Sequence, residues 1–194
     1  MTFYKEAFSV LAIFLTFIAF YPYIRLIVKN EIQPHVFSWL IWGTTTLIIF
    51  FAQIQGGAGI GAWPIGISAL ITMTVAYLAY RKKHENSITK LDWIFFISSL
   101  ASLPFWFLTS DPLWAVVILT TVDVLGFGPT FRKAYNNPFK ENTLFFFLFT
   151  CRNLSVIVAV EHYSITTVLF PAVIAFVCIV LIAMILYRRK QCVR

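Results

Sequence analysis

The chain has 194 residues, of which 60% are hydrophobic and 12% charged, with 21 Phe and a net charge of +7. A soluble domain of this size could not hide so much apolar surface, and apolar runs near twenty residues point to membrane helices. The cations stand in short clusters between the apolar runs, which is a membrane-topology pattern and not a nucleic-acid one. Cys151, Cys178 and Cys192 are scattered and suggest neither a disulfide framework nor a metal site. No small-x-small cleavage site ends the first apolar run, so no cleaved signal is expected.

Seven spans are expected, over residues 5–28, 35–54, 62–80, 92–109, 112–132, 142–160 and 164–187. They are continuously apolar, without the two-residue alternation of a barrel strand, and so read as helices. The first carries Pro22, followed by Arg25 and Lys29. The second carries Trp39 and Trp42, three apart and therefore on one face. Between the second and third lies the glycine-rich segment 55–62. No Lys-Ser/Thr follows it, so it reads as a flexible connection and not a phosphate loop. The third span holds Ser68 and Thr72 and ends in the basic cluster 81–83. The fifth holds Asp123 and Pro129, and the sixth Arg152 and Asn153. The seventh is almost wholly apolar and ends in the basic cluster 188–190.

The first three spans return as the last three. Pro22 matches Pro129, Arg25 matches Arg132, and Asn30 matches Asn137, each at an offset of 107 residues (129 − 22). Trp63 and Pro64 match Phe170 and Pro171 at the same offset, and the Tyr80 cluster matches that at Tyr187. The fourth span has no counterpart. The expected organisation is a first triple-helix repeat over 1–83, a linker with helix four over 84–110, and a second triple-helix repeat over 111–194. Three spans put the two ends of a unit on opposite sides, and one added helix restores the orientation. The halves are then parallel repeats about an axis along the membrane normal. Thirteen of the fifteen Lys and Arg then fall on one side, leaving Lys5 and Arg152. The positive-inside rule puts that side in the cytoplasm, with the N-terminus outside and the C-terminus inside.

This layout, with a proline in each first helix ahead of a basic loop, resembles the SWEET sugar transporters and the wider PQ-loop superfamily, which includes bacterial nicotinamide riboside transporters. The stretch 128–135 is similar to the end of the first helix of a SWEET repeat. The resemblance implies an all-α membrane protein: two parallel triple-helix bundles joined by a linker helix, each bundle packed in the order first, third, second, with a solute pathway between them. The chain departs from the family where Tyr23 follows Pro22 and Thr130 follows Pro129, in place of the Pro-Gln dipeptide. It also lacks the third-helix asparagines that hold sugar hydroxyls. The resemblance therefore carries the fold and not the substrate.

Charged residues inside a span are costly, about 2.5–3.5 kcal/mol at the bilayer centre on insertion scales and more in simulations, and they usually face the bundle interior. Asp123 and Arg152 are the two here. They are expected to pair or to share a polar cavity: either Arg152 binds an anionic or carbonyl-bearing substrate with Asp123 as counter-ion or proton carrier, or the two form a structural ion pair holding two helices together. The first half has Thr16 and Thr45 at the matched positions. Asn153, Trp42, Ser68 and Thr72 are further candidates for the pathway. Pro22 and Pro129 are candidate hinges, since proline removes a helical hydrogen bond; a fixed kink is the alternative. Trp63, Trp106 and Trp114 fit an interfacial belt. His35, His84 and His162 have no metal-ligand spacing, and no cofactor is expected. The expected function is a membrane transporter, facilitator or proton-coupled, moving a small polar solute by alternating access in a bilayer, the bacterial inner membrane being the expected setting. A monomer suffices for one pathway. The alternative is a non-transporting receptor or assembly protein of the same fold; an enzyme is not expected, because no catalytic constellation is recognisable.

Overall fold

The computed structural model describes residues 3–30, 36–82, 90–127, 131, 134–135, 138–140 and 143–192. Among these residues there are seven α-helices and no strand: α1 (Phe3–Val28), α2 (Val36–Gln55), α3 (Trp63–Arg81), α4 (Lys90–Thr109), α5 (Pro112–Gly126), α6 (Thr143–Ala159) and α7 (Ile165–Cys192). Three segments are long and apolar enough to cross a membrane: α1, residues 59–81 and α7. They fit an integral membrane protein.

Local signals place the helix starts. Asp111 caps α5 by accepting the Leu113 N–H, with Pro112 in the first turn. Ser164 and Thr167 exchange side-chain and backbone bonds at the start of α7, a reciprocal cap. The expected elements agree with the helices to within about two residues, except that α7 runs five residues past the expected end at 187 and the fifth ends early. It was expected to reach residue 132, yet α5 stops at Gly126 with a turn at Phe127. Gly126 is a poor helix residue, and the apolar run around it hid the helix end.

The glycine-rich connection also differs from expectation. Gly57 and Gly59 adopt positive φ (81° and 58°), and Gly59–Ala62 winds as a 3-10 turn directly into α3. The matched stretch before Pro171 has no glycine and is already α-helical. Pro64 therefore sits in the first turn of its helix while Pro171 sits inside α7, not at its start.

Packing follows the repeat. α3 lies against both α1 and α2, and α7 against both α5 and α6; α1 packs on α6 and α2 on α5, while α4 covers α5 and α2. α1, α3 and α7 start at the end of the molecule where α2 and α6 finish. Lys5, Gln53, the 56–62 turn, the end of α6 and the start of α7 gather at one end, here the Glu161 end. Lys82 reaches the Val28 carbonyl, and Arg188 reaches that of Tyr135, at the opposite, Tyr187 end.

The burial pattern is inverted relative to a water-soluble protein. Ser9, Thr16, Thr45, Gln53, Thr120, Asp123, Arg152 and Asn153 are buried, while Phe14, Phe17, Leu70, Ile97, Phe176 and Ile179 are exposed. Exposed apolar surface on this scale marks a lipid or protein contact. Exposed aromatic residues lie toward both ends: Tyr4, Trp63, Trp114 and Tyr163 at one, Tyr21, Tyr80, Tyr135 and Tyr187 at the other. Rings with polar tips favour both membrane–water boundaries.

Candidate functional site: two matched helix crossings

Asp123 and Arg152 do not meet. Each is bonded to a threonine of the other repeat. At the α1–α6 crossing, Arg152 donates from Nε to Thr16 Oγ1 (3.3 Å), from Nη1 to Asn153 Oδ1 (2.9 Å) and from Nη2 to the Pro64 carbonyl (2.8 Å). Its guanidinium lies 5.6 Å from the Phe149 ring centre. At the α2–α5 crossing, Thr45 Oγ1 lies 3.1 Å from Asp123 Oδ1. Arg152 is 2% exposed and Asp123 7%.

The two crossings are related by the repeat. Asp123 matches Thr16 and Arg152 matches Thr45, both 107 residues apart (123 − 16; 152 − 45). The contact between positions 16 and 152 is thus the counterpart of that between 123 and 45. Such reciprocal contacts are the kind that a two-fold axis produces in a symmetric dimer. They explain why two charges in one repeat find different partners: α5 and α6 are both flanked by helices of the first half, and each charge faces its own crossing.

The crossings differ in hydrogen-bond supply. Thr16 donates to the Ala12 carbonyl (2.8 Å) and accepts from Arg152, so its hydroxyl is used twice without conflict. Thr45 has one hydroxyl proton and two acceptors, Asp123 Oδ1 and the Trp42 carbonyl (2.9 Å). One turn before Asp123, buried Thr120 Oγ1 has no hydrogen-bond partner among the described residues. The partners of Arg152 and of Asp123 among the described residues are all neutral, an expensive state for charges held between apolar helices.

The other expected residues are placed as follows. Asn153 is fully buried; it receives Arg152 and donates to the Phe149 carbonyl (2.8 Å), so it positions the arginine. Trp42 is half-buried, edge-on to Trp39, with its indole Nε1 3.2 Å from where a Cβ on Gly126 would lie. Gly126 therefore admits the indole one turn from Asp123. Ser68 and Thr72 are buried on α3, and Thr72 donates back to the Ser68 carbonyl. Pro22 is exposed inside α1, beside a groove lined by Tyr21, Arg25, Leu26 and Lys29, while Pro129 lies outside the described residues. The sequence reading did not single out Thr120, Gly126 or the Pro64 carbonyl. The first two stand one turn on either side of Asp123, a spacing that was legible; a carbonyl acceptor leaves no mark in sequence.

The halves are also joined at the Glu161 end. Glu161 N–H donates to the Ala58 carbonyl (3.0 Å), His162 N–H to Gly57 (3.1 Å), and Ile60 N–H to Glu161 Oε1 (3.1 Å). Lys5 Nζ donates to the Val160 (2.8 Å) and Glu161 (3.1 Å) carbonyls, and Gln53 Nε2 to that of Thr167 (3.1 Å). A Cβ on Gly61 would lie 2.7 Å from Val160 Cα, so this glycine lets the two backbones touch. The expected loose connection is a pinned turn.

Comparison of the chain with protein-family models, with curated proteins and with solved structures finds no match.

Proposed function

We propose that the chain is a membrane transporter in which two three-helix units, α1–α3 and α5–α7, rock about their shared axis and move a small polar solute between them. The observation that carries this reading is the placement of the bonds between the halves. Hydrogen bonds joining residues 1–83 to 111–194 gather at the Glu161 end and at the two crossings. Polar contacts between the two units at one end support a carrier that closes on that side when the units rock. The packing of α3 between α1 and α2, and of α7 between α5 and α6, supports the two-unit division with α4 as linker. The cation clusters near the Tyr187 end support a cytoplasmic assignment for that end.

The test is a reversible lock. Ala58→Cys with Glu161→Cys, in a chain whose three native cysteines are alanine, brings two thiols to backbones already in hydrogen-bond contact. In proteoliposomes supplied with a metabolite panel, oxidation is expected to stop solute flux, and reduction to restore it. A cross-linked protein that still transports defeats alternating access at this end. A panel without flux, together with capture of a protein partner by the basic loops, favours a receptor.

A further inference from the structure

The two crossings are one site built twice with different side chains. Trp42 matches Phe149 and Pro171 matches Pro64 at the same offset that relates Asp123 to Thr16 and Thr45 to Arg152. At the α1–α6 crossing the chain supplies its own cation. The guanidinium lies over the Phe149 ring, against the Thr16 hydroxyl and on the Pro64 carbonyl. At the α2–α5 crossing the hydroxyl is replaced by the Asp123 carboxylate and the phenyl ring by the Trp42 indole. Both changes favour a cation more strongly, since indole is the best aromatic face for one. Where the other crossing has arginine, this one has the short Thr45. At Thr45 a carboxylate and the Trp42 carbonyl compete for one hydroxyl proton, and one turn before Asp123 the Thr120 hydroxyl is unpaired among the described residues and offers a further acceptor.

We propose that the α2–α5 crossing binds an organic cation carrying N–H donors, a guanidinium or primary ammonium group of a small solute, in the place that the Arg152 guanidinium takes at the α1–α6 crossing. Arg152 is then not the substrate's partner; three protein acceptors already hold it. As a statement about cargo this rests on the transport reading, and it names the solute class for it. As a statement about binding it stands apart, and the experiment separates the two.

Thermal unfolding of the full chain in detergent is measured with methylguanidinium chloride and methylammonium chloride, against N-methylurea as the neutral isostere and NaCl at equal ionic strength. At least one organic cation is expected to raise Tm saturably by a few degrees; N-methylurea and NaCl are not. Asp123→Asn, which keeps the shape and the Thr45 contact, is expected to weaken binding at least ten-fold, and Trp42→Leu to weaken it several-fold. Thr45→Arg rebuilds the self-filled crossing: it is expected to melt no lower than the native chain and to lose the response. A response equal with N-methylurea, one that survives Asp123→Asn, or none from either organic cation overturns the proposal. An Asp123-dependent rise with NaCl overturns the organic class in favour of an inorganic cation. The same probes are then offered to proteoliposomes. Cation binding without uptake leaves the site standing and defeats transport; uptake of a neutral solute without cation binding does the reverse.

Discussion

Arg152→Ala is expected to lower stability by about 3 kcal/mol, and Arg152→Lys to recover less than half of the loss. The guanidinium joins three elements through three donors: Thr16 on α1, Asn153 on α6 and Pro64 at the start of α3. Hydrogen bonds from a charged donor contribute about 1.5–3 kcal/mol each. Against that, removing a buried charge relieves about 2.5–3.5 kcal/mol of insertion cost. The bonds win, and the Asn153 Oδ1 left behind has lost its donor. Lysine keeps the charge but concentrates it at one atom on a flexible stem, which cannot reproduce a planar fork aimed at three acceptors. Thermal unfolding in detergent decides it. A cost below about 1 kcal/mol for Arg152→Ala would mean that the arginine does not hold the halves together.

Gly61→Ala is expected to cost a similar amount, about 3 kcal/mol, at the upper end of what overpacking does. The added Cβ would lie 2.7 Å from Val160 Cα and N and 2.9 Å from the Ala159 carbonyl carbon. Those are backbone atoms at the end of α6 and cannot rotate away. Relieving the clash means separating the 58–61 turn from residues 160–162, which breaks the bonds at Ala58 and Gly57. Gly43→Ala is the matched control. Its Cβ would come as close, 2.6 Å, but to Met73 Sδ, the mobile part of a flexible side chain. It gains helix propensity as well, and its net cost is expected near 1 kcal/mol or less. Equal costs at the two glycines would show that the turn yields as easily as a methionine. The loop lock described above gives a second readout, because a Gly61→Ala protein should cross-link through Ala58→Cys and Glu161→Cys more slowly.

Much of the helix plan was legible because apolar runs bounded by charge and proline leave little choice in a chain this hydrophobic. Repeated residues such as Pro64 and Pro171 marked the duplication before any contact was known. The failures have local causes. At Gly126 hydrophobicity ran on past a poor helix former, so α5 was read too long. At 56–61 glycine was taken for looseness, when positive φ and missing Cβ atoms are what let one turn dock on another backbone. The pairing of Asp123 with Arg152 was inferred from their neighbouring spans in sequence. It failed because α6 packs on α1 and α5 on α2, so these two neighbouring spans place their charges at different crossings.

By itself the sequence determined the helices, the matched residues at the 107-residue offset and the presence of two charges within apolar runs. Those properties depend on local composition and periodicity. Which residue faces which was decided only by tertiary packing. A match between stretches of sequence does not say how they meet; that each charge stands against a threonine 107 residues from the other charge is seen only in the packing of α1 on α6 and α2 on α5. The same packing holds Arg152 with three acceptors and leaves Asp123 sharing one hydroxyl proton, a difference in hydrogen-bond supply that no spacing along the chain records.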